Sequence, residues 1–220
     1  MISHHPDEEM LVDFASGSLS APETLVVSGH VAMCARCRRH VEQLETLGAA
    51  LLEDGATAPV DDGAFGAIMS KIETGSIDDE TVAVSRLDPD TRAVVPPPLR
   101  GLLPASLAAL RWRRSARGIE EAVLPSYGGA RISLLRIRAG LRVPAHTHAG
   151  SEYTLVLSGG FSDAGQHYAP GDMAVADDTV DHAPVADRGE PCLCLTVRCG
   201  ATRLTGPVGR LFNPLVRRIA

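Results

Sequence analysis

The sequence predicts a two-domain α + β chain, a small helical bundle followed by an all-β sandwich or barrel. Three observations carry this. Apolar residues recur at helical spacing as far as about residue 74. Beyond Trp112 the pattern changes to short apolar or alternating runs separated by Gly and Pro turns. Between the two, residues 75–98 are poor in large apolar groups and end in Val-Val-Pro-Pro-Pro, a sequence that favours extended polyproline. The boundary is placed there, so that residues 1–98 form the helical domain with its Pro-rich linker and residues 99–220 the β domain.

Along the first domain, Met10, Leu11 and Phe14 share a helical face and Gly17 supplies a C-terminal stop. Ser20-Ala21-Pro22-Glu23 has the form of a helix start, with Ser20 as N-cap, Pro22 in the first turn and Glu23 closing a capping box. Leu25, Val26, Val31, Leu44, Leu47 and Leu51 then line one or two further helices. Asp61–Thr74 forms a shorter helix with Phe65, Ile68, Met69 and Ile72 as its stripe; core is the usual fate of such a stripe, but so small a domain has little room to bury it. Leu99–Leu110 is expected as a short helix leading into the second domain. Strands are expected at Ile119–Leu124, Arg131–Arg138, Tyr153–Leu157, Met173–Ala176 and Cys192–Arg198. Turns separate them at Tyr127-Gly128-Gly129, Ala139-Gly140, Ser158-Gly159-Gly160, Pro170-Gly171-Asp172 and Arg188–Pro191.

Bulk properties exclude several classes. With 45% hydrophobic and 22% charged residues the chain is not disordered. No apolar run approaches the roughly 18 residues that cross a bilayer, so no membrane partner is expected. The N-terminus lacks a basic segment followed by an apolar one, so no signal peptide is read and the cytoplasm is the expected location. Five cysteines, an odd count, argue against a disulfide framework. Residues 1–98 hold 17 Asp and Glu against 6 Lys and Arg, a net of −11, whereas residues 99–220 carry +5. The acidic half is unsuited to nucleic acid, which demands a basic surface. Most of these charges are read as a solvated helical face, although they also suit a basic protein partner.

Two constellations carry chemistry. His30, Cys34 and Cys37 form H-x-x-x-C-x-x-C, and positions i, i+4 and i+7 lie on one face of a helix. Two thiolates and an imidazole are three of the four tetrahedral ligands zinc prefers. His5 supplies the fourth if the N-terminal segment folds back, with His4 and His40 as competing donors. The plain alternative is that Cys34 and Cys37 are buried core thiols and His30 a capping or surface histidine. A thioredoxin-like redox pair fits less well, because these residues sit inside a helical run. In the second domain, His146 and His148 are two apart on an extended strand and so point to one face. Glu152 reaches the same centre if the strand bends at Ala149-Gly150, and His182 arrives from a later strand. Three imidazoles and a carboxylate make a site suited to Zn, Mn, Fe or Ni, against the alternative of a metal-free barrel with polar core histidines. His167, in the Gly165–Pro170 turn region, is expected to face solvent. Cys192 and Cys194 share a strand face; buried core thiols are the plain reading and an oxidant-sensing pair the sharper one.

The His4-His5 pair, Gly17-x-Leu19-Ser20 and His30-x3-Cys34-x2-Cys37 resemble the zinc-binding anti-sigma domain over roughly residues 1–80. That domain is a four-helix module that masks an extracytoplasmic-function (group IV) sigma factor. Its ligands, an upstream His and then the His and two Cys of the motif, fall on His5, His30, Cys34 and Cys37. Gly140-x5-His146-x-His148-x3-Glu152-x6-Gly159 resembles the first cupin motif, and Pro170 with His182 matches part of the second. In this order the two halves resemble the ChrR family of anti-sigma factors over nearly the whole chain. The resemblance implies a cytoplasmic, non-enzymatic repressor that sequesters such a sigma factor and releases it in response to singlet oxygen or related oxidative stress. It implies zinc in the N-terminal domain, which suffices for sigma binding. It also implies a second divalent metal, expected to be zinc, in the cupin that the stress response needs; a small-molecule signal at the cupin is compatible. The alternative is a metal-dependent cupin enzyme, a dioxygenase or isomerase, with a helical zinc module. Four protein ligands on zinc leave little room for substrate, whereas redox-active iron would favour the oxygenase.

Overall fold

The computed structural model describes residues 1–75, 87–104, 106–126, 128–206 and 213. Helix α1 spans Glu8–Ser16, capped by Asp7, whose carboxylate accepts from the Met10 N–H at 2.7 Å. Gly17 ends it at φ 74°, the left-handed conformation that glycine adopts without penalty. Helix α2 (Ala21–Met33) starts at the expected capping box, with the Glu23 carboxylate accepting from the Ser20 N–H at 3.2 Å. Helix α3 (Ala35–Glu53) follows after a single residue: Cys34, at φ −105° and ψ 104°, ends one helix and begins the next. This corrects the single-helix placement of His30, Cys34 and Cys37. Seven residues of straight helix would separate His30 from Cys37 by about 10.5 Å along the axis, and the corner at Cys34 removes that separation. Helix α4 (Ala64–Glu73) carries the expected stripe and contains no buried residue.

Part of the expected linker is folded. Helix α5 (Pro89–Val94) is capped by Asp88, and a 3-10 helix occupies Pro97–Leu102. The extended polyproline expectation holds only at Pro96 (φ −64°, ψ 152°), beyond which the chain turns into the 3-10 helix. The helix expected over Leu99–Leu110 is therefore replaced by a shorter, tighter one. Leu103 lies before Pro104 and takes the extended conformation that a following proline imposes. Residues 76–86, the rest of that linker, and Tyr127 of one predicted turn lie outside the described residues.

The β domain is built of antiparallel sheets. The largest runs β1 (Arg113–Ala116), β2 (Ile119–Val123), β3 (Arg131–Ile137), β10 (Cys192–Arg198), β5 (Glu152–Ser158), β8 (Met173–Ala176) in spatial order. β7 (Gln166–Tyr168), β6 (Phe161–Asp163) and β9 (Val185–Ala186) form a second sheet, and β4 (His146–His148) pairs with β11 (Thr202–Leu204) in a third. All five predicted strands are present within one residue at each end.

Strand β10 is buried on both faces. Leu193, Leu195 and Val197 join the larger core, which also contains Val26 and Val27 of α2 and Leu99 and Leu102 of the 3-10 helix. Cys192 and Cys194 point the other way, into a cluster with Ile119, Ile137, Val156 and Phe161. The helices thus pack directly on the outer face of the sheet. A Cβ at Gly29 would stand 2.8 Å from Leu155 Cδ2 and 3.0 Å from Leu99 Cδ1, so α2 approaches this closely because residue 29 has no side chain. The Tyr153 hydroxyl donates to Glu23 across the same contact at 2.7 Å.

Candidate metal centres

The first cluster gathers His5 from the segment before α1, His30 from the last turn of α2, Cys34 from the corner and Cys37 from the first turn of α3. His30 Nε2 lies 3.3 Å from Cys37 Sγ, and His5 Nδ1 lies 3.4 Å from His30 Nε2, 3.5 Å from Cys34 Sγ and 3.4 Å from Cys37 Sγ. Tetrahedral zinc with its usual bond lengths has donor–donor edges of about 3.3–3.8 Å; these four separations fall in that range, and all four donors lie within 4.8 Å of one another. The buried His30 ring donates from Nδ1 to the Gly171 carbonyl at 2.8 Å, which leaves the Nε2 lone pair facing the cluster. Burial holds the His30 pKa down to about 4, so the ring is neutral and in ligand form at neutral pH. Burial, reinforced by neighbouring Cys34, pushes the Cys37 thiol up to about 12. A bound dication reverses that local field and stabilises both thiolates. The competing donors are elsewhere: the His4 ring packs at a tilt against Tyr168 with centroids 4.2 Å apart, and His40 borders the pocket beside His5 without joining the cluster.

The second cluster contains His146, His148 and His182. Each ring has its Nδ1 engaged by a different acceptor. His146 donates to the Pro144 carbonyl at 2.8 Å, His148 meets Glu152 Oε2 at 2.9 Å, and His182 meets Asp163 Oδ2 at 2.6 Å. The three Nε2 lone pairs remain for a common ion, and His148 Nε2 and His182 Nε2 are 3.3 Å apart. His146 and His182 are brought together by a backbone bridge between their own residues. Of the four residues named from the sequence, the structure gathers these three, and Glu152 lines the same cavity as His146 and His182 with its carboxylate on His148 Nδ1. Burial pushes the Glu152 carboxyl up, but the hydrogen bond and charge of His148 outweigh it and hold the group ionised. Asp163 was not foreseen; a lone carboxylate 19 residues before its histidine gives no spacing signal.

A cavity of about 200 Å³ opens beside this cluster, its wall formed by His146 and His182 together with Leu135, Val143, Phe161 and Cys194. Cys192 and Cys194 are buried with sulfurs 3.4 Å apart. Their mutual hydrogen bond and burial raise the Cys194 thiol well above its ordinary value, the opposite of an activated thiolate. A thiol-specific reagent such as DTNB is therefore expected to modify exposed Cys199 first, and buried Cys192 and Cys194 only on unfolding. Rapid modification of Cys194 in the folded protein would contradict this. His167 lies on β7, its side chain 55% exposed and paired with Asp187 at 2.8 Å, consistent with the solvent-facing position expected.

The architecture is thus a helical bundle with a His–Cys cluster packed on an antiparallel β domain that holds a histidine cluster of its own. The family model of the ChrR cupin-like domain matches residues 103–201. The anti-sigma-E factor ChrR of Cereibacter sphaeroides is 34% identical over 218 residues, covering 98% of this chain and 99% of that protein. The crystal structure of Rhodobacter sphaeroides SigE in complex with the anti-sigma ChrR matches with 33% identity and a TM-score of 0.75, over 90% of this chain and 99% of that one. The chain belongs to the ChrR family of anti-sigma factors. It is a regulatory protein and not a cupin dioxygenase or isomerase. Among the described residues no helix is long and apolar enough to cross a membrane.

Proposed function

We propose that this chain is a zinc-dependent anti-sigma factor whose residues 1–98 sequester an extracytoplasmic-function sigma factor. In this reading the cupin domain, residues 99–220, triggers release on exposure to singlet oxygen or related oxidative stress. His5, His30, Cys34 and Cys37 hold zinc in the helical part. His146, His148 and His182, with Glu152 supporting or joining them, hold a second divalent metal, zinc by preference. The relative in complex with SigE supports the choice of partner. The observation that carries the reading is the apolar surface of α3 and α4. Leu51 is 67% exposed, Leu52 81%, Phe65 75% and Ile72 57%, on helices that leave these side chains uncovered among the described residues. An apolar surface of this kind on an acidic domain suits helix-in-groove packing against a basic partner.

The test is co-purification of residues 1–98 with co-expressed sigma factors. The fragment is expected to retain its partner without the cupin. A zinc-loaded, folded fragment that fails to bind while the full chain binds would show that the roles are assigned wrongly.

A further inference from the structure

The two metal clusters are joined by a short stretch of the β domain that neither site uses directly. The buried Asp172 carboxylate accepts from the backbone N–H groups of Ser3 at 2.6 Å and His4 at 2.9 Å through Oδ1, and from Ala169 at 2.8 Å through Oδ2. The Met173 N–H donates to the His4 carbonyl at 3.1 Å, so residues 3–4 are tied to the chain that opens β8. Gly171, in the turn before that strand, receives the Nδ1–H of His30 on its carbonyl at 2.8 Å. Its φ is +91°, and a Cβ there would stand 2.4 Å from Ile2 Cδ1. One tripeptide of the β domain thus reaches both His30 directly and His5 through the residue before it.

From this we infer that the cupin domain positions two of the four ligands of the helical metal site, Gly171 by orienting the His30 ring and Asp172 by holding the segment that delivers His5. The inference rests on the zinc reading of that cluster. An acceptor on the distal nitrogen of a ligating imidazole fixes its tautomer and ring angle, and losing such a partner costs about 10–100-fold in metal affinity. Strand β8 carries the connection inward: Ala176 at its far end pairs with Glu152, the partner of His148, and Ala174 lines the cavity. A disturbance at the cupin cluster is therefore one short strand away from the grip on His5 and His30. The helical site keeps its four donors without the β domain but loses this preorganisation.

The test uses the full-length protein and Co²⁺ as probe. A thiolate-to-cobalt charge-transfer band reports only the cluster holding Cys34 and Cys37, because the cupin cluster offers imidazoles. Asp172→Asn and Gly171→Ala are each expected to weaken Co²⁺ binding at that band by about tenfold or more and to speed its exchange for Zn²⁺. Tyr153→Phe, which breaks a different side-chain hydrogen bond between α2 and the β domain, is expected to leave it within about twofold of the original. Unchanged binding in a folded Asp172→Asn or Gly171→Ala protein overturns the inference. So does an equal loss in Tyr153→Phe, which would signal general loosening of the contact. Absence of the band from the unaltered protein would overturn the zinc reading along with it.

Discussion

A protein in which Cys34 and Cys37 are both replaced by serine is expected to lose one equivalent of zinc and, with it, all inhibition of the sigma factor. The four donors come from the N-terminal segment, α2, the corner and α3, so one ion ties together these pieces of the bundle around Val26, Leu11 and Val41. In small zinc domains the binding energy of the metal is folding energy, about 10–16 kcal/mol in peptides at neutral pH. The few buried side chains of α1 and α3, Leu11 and then Cys37 and Val41, do not replace a contribution of that size. The zinc content of the purified protein and a sigma-dependent reporter in cells measure the two losses separately. Full repression by a metal-free double variant would refute the structural role of the site.

The second expectation has the opposite pattern. His146→Ala and Glu152→Ala should leave basal repression intact and blunt induction by singlet oxygen. His146 is one of three imidazoles in the cupin cluster, and Glu152 holds the Nδ1 of another. Removing either should weaken metal binding there by about tenfold or more, while all four donors of the helical cluster stay in place. The reporter is read for each variant with and without a photosensitiser in the light. Normal induction by a variant shown to lack the cupin metal would sink the sensor role. Loss of basal repression would mean that the β domain serves mainly to stabilise the bundle. An intermediate result is informative for Glu152: an effect equal to that of His146→Ala marks a direct ligand, and a smaller one marks a group that orients His148.

Much of this was legible in the sequence because the signals were local. The cap at Ser20 and Glu23, the stop at Gly17 and the candidate donors His30, Cys34, Cys37 and His146, His148, His182 follow from spacing and residue type, the choice of His5 over His4 and His40 came from the family resemblance, and the structure brings these side chains together. The helix break at Cys34 was not legible, since neither Gly nor Pro stands beside it to signal a stop. Met33 and Ala35 are both good helix formers, so local propensity gives no sign of the corner, which brings the four donors together. The 3-10 helix at Pro97–Leu102 escaped because a Pro run in isolation prefers to stay extended, and packing of Leu99 and Leu102 into the core overrides that preference. β6, β7, β9 and β11 are two or three residues long and carry no period that a sequence could reveal. The orienting groups Asp163, Gly171 and Asp172 act across long separations, such as the 141 residues from His30 to Gly171, where spacing says nothing.

The close seat of α2 on the sheet has a consequence for anyone who would rewire such a regulator by exchanging its sensor. A chimaera cut at residue 98 would leave Gly29 on one side of the join and Leu99 and Leu155 on the other, although their side-chain atoms fit within 2.8–3.0 Å of where a Cβ at residue 29 would stand. A foreign barrel presenting a bulkier residue at the position of Leu155 would lift the helix from its seat, and a smaller one would leave a void under it. Portable parts in this chain are therefore matched surfaces, and a working graft has to transplant the 3-10 helix and the socket for Gly29 as one piece with the barrel.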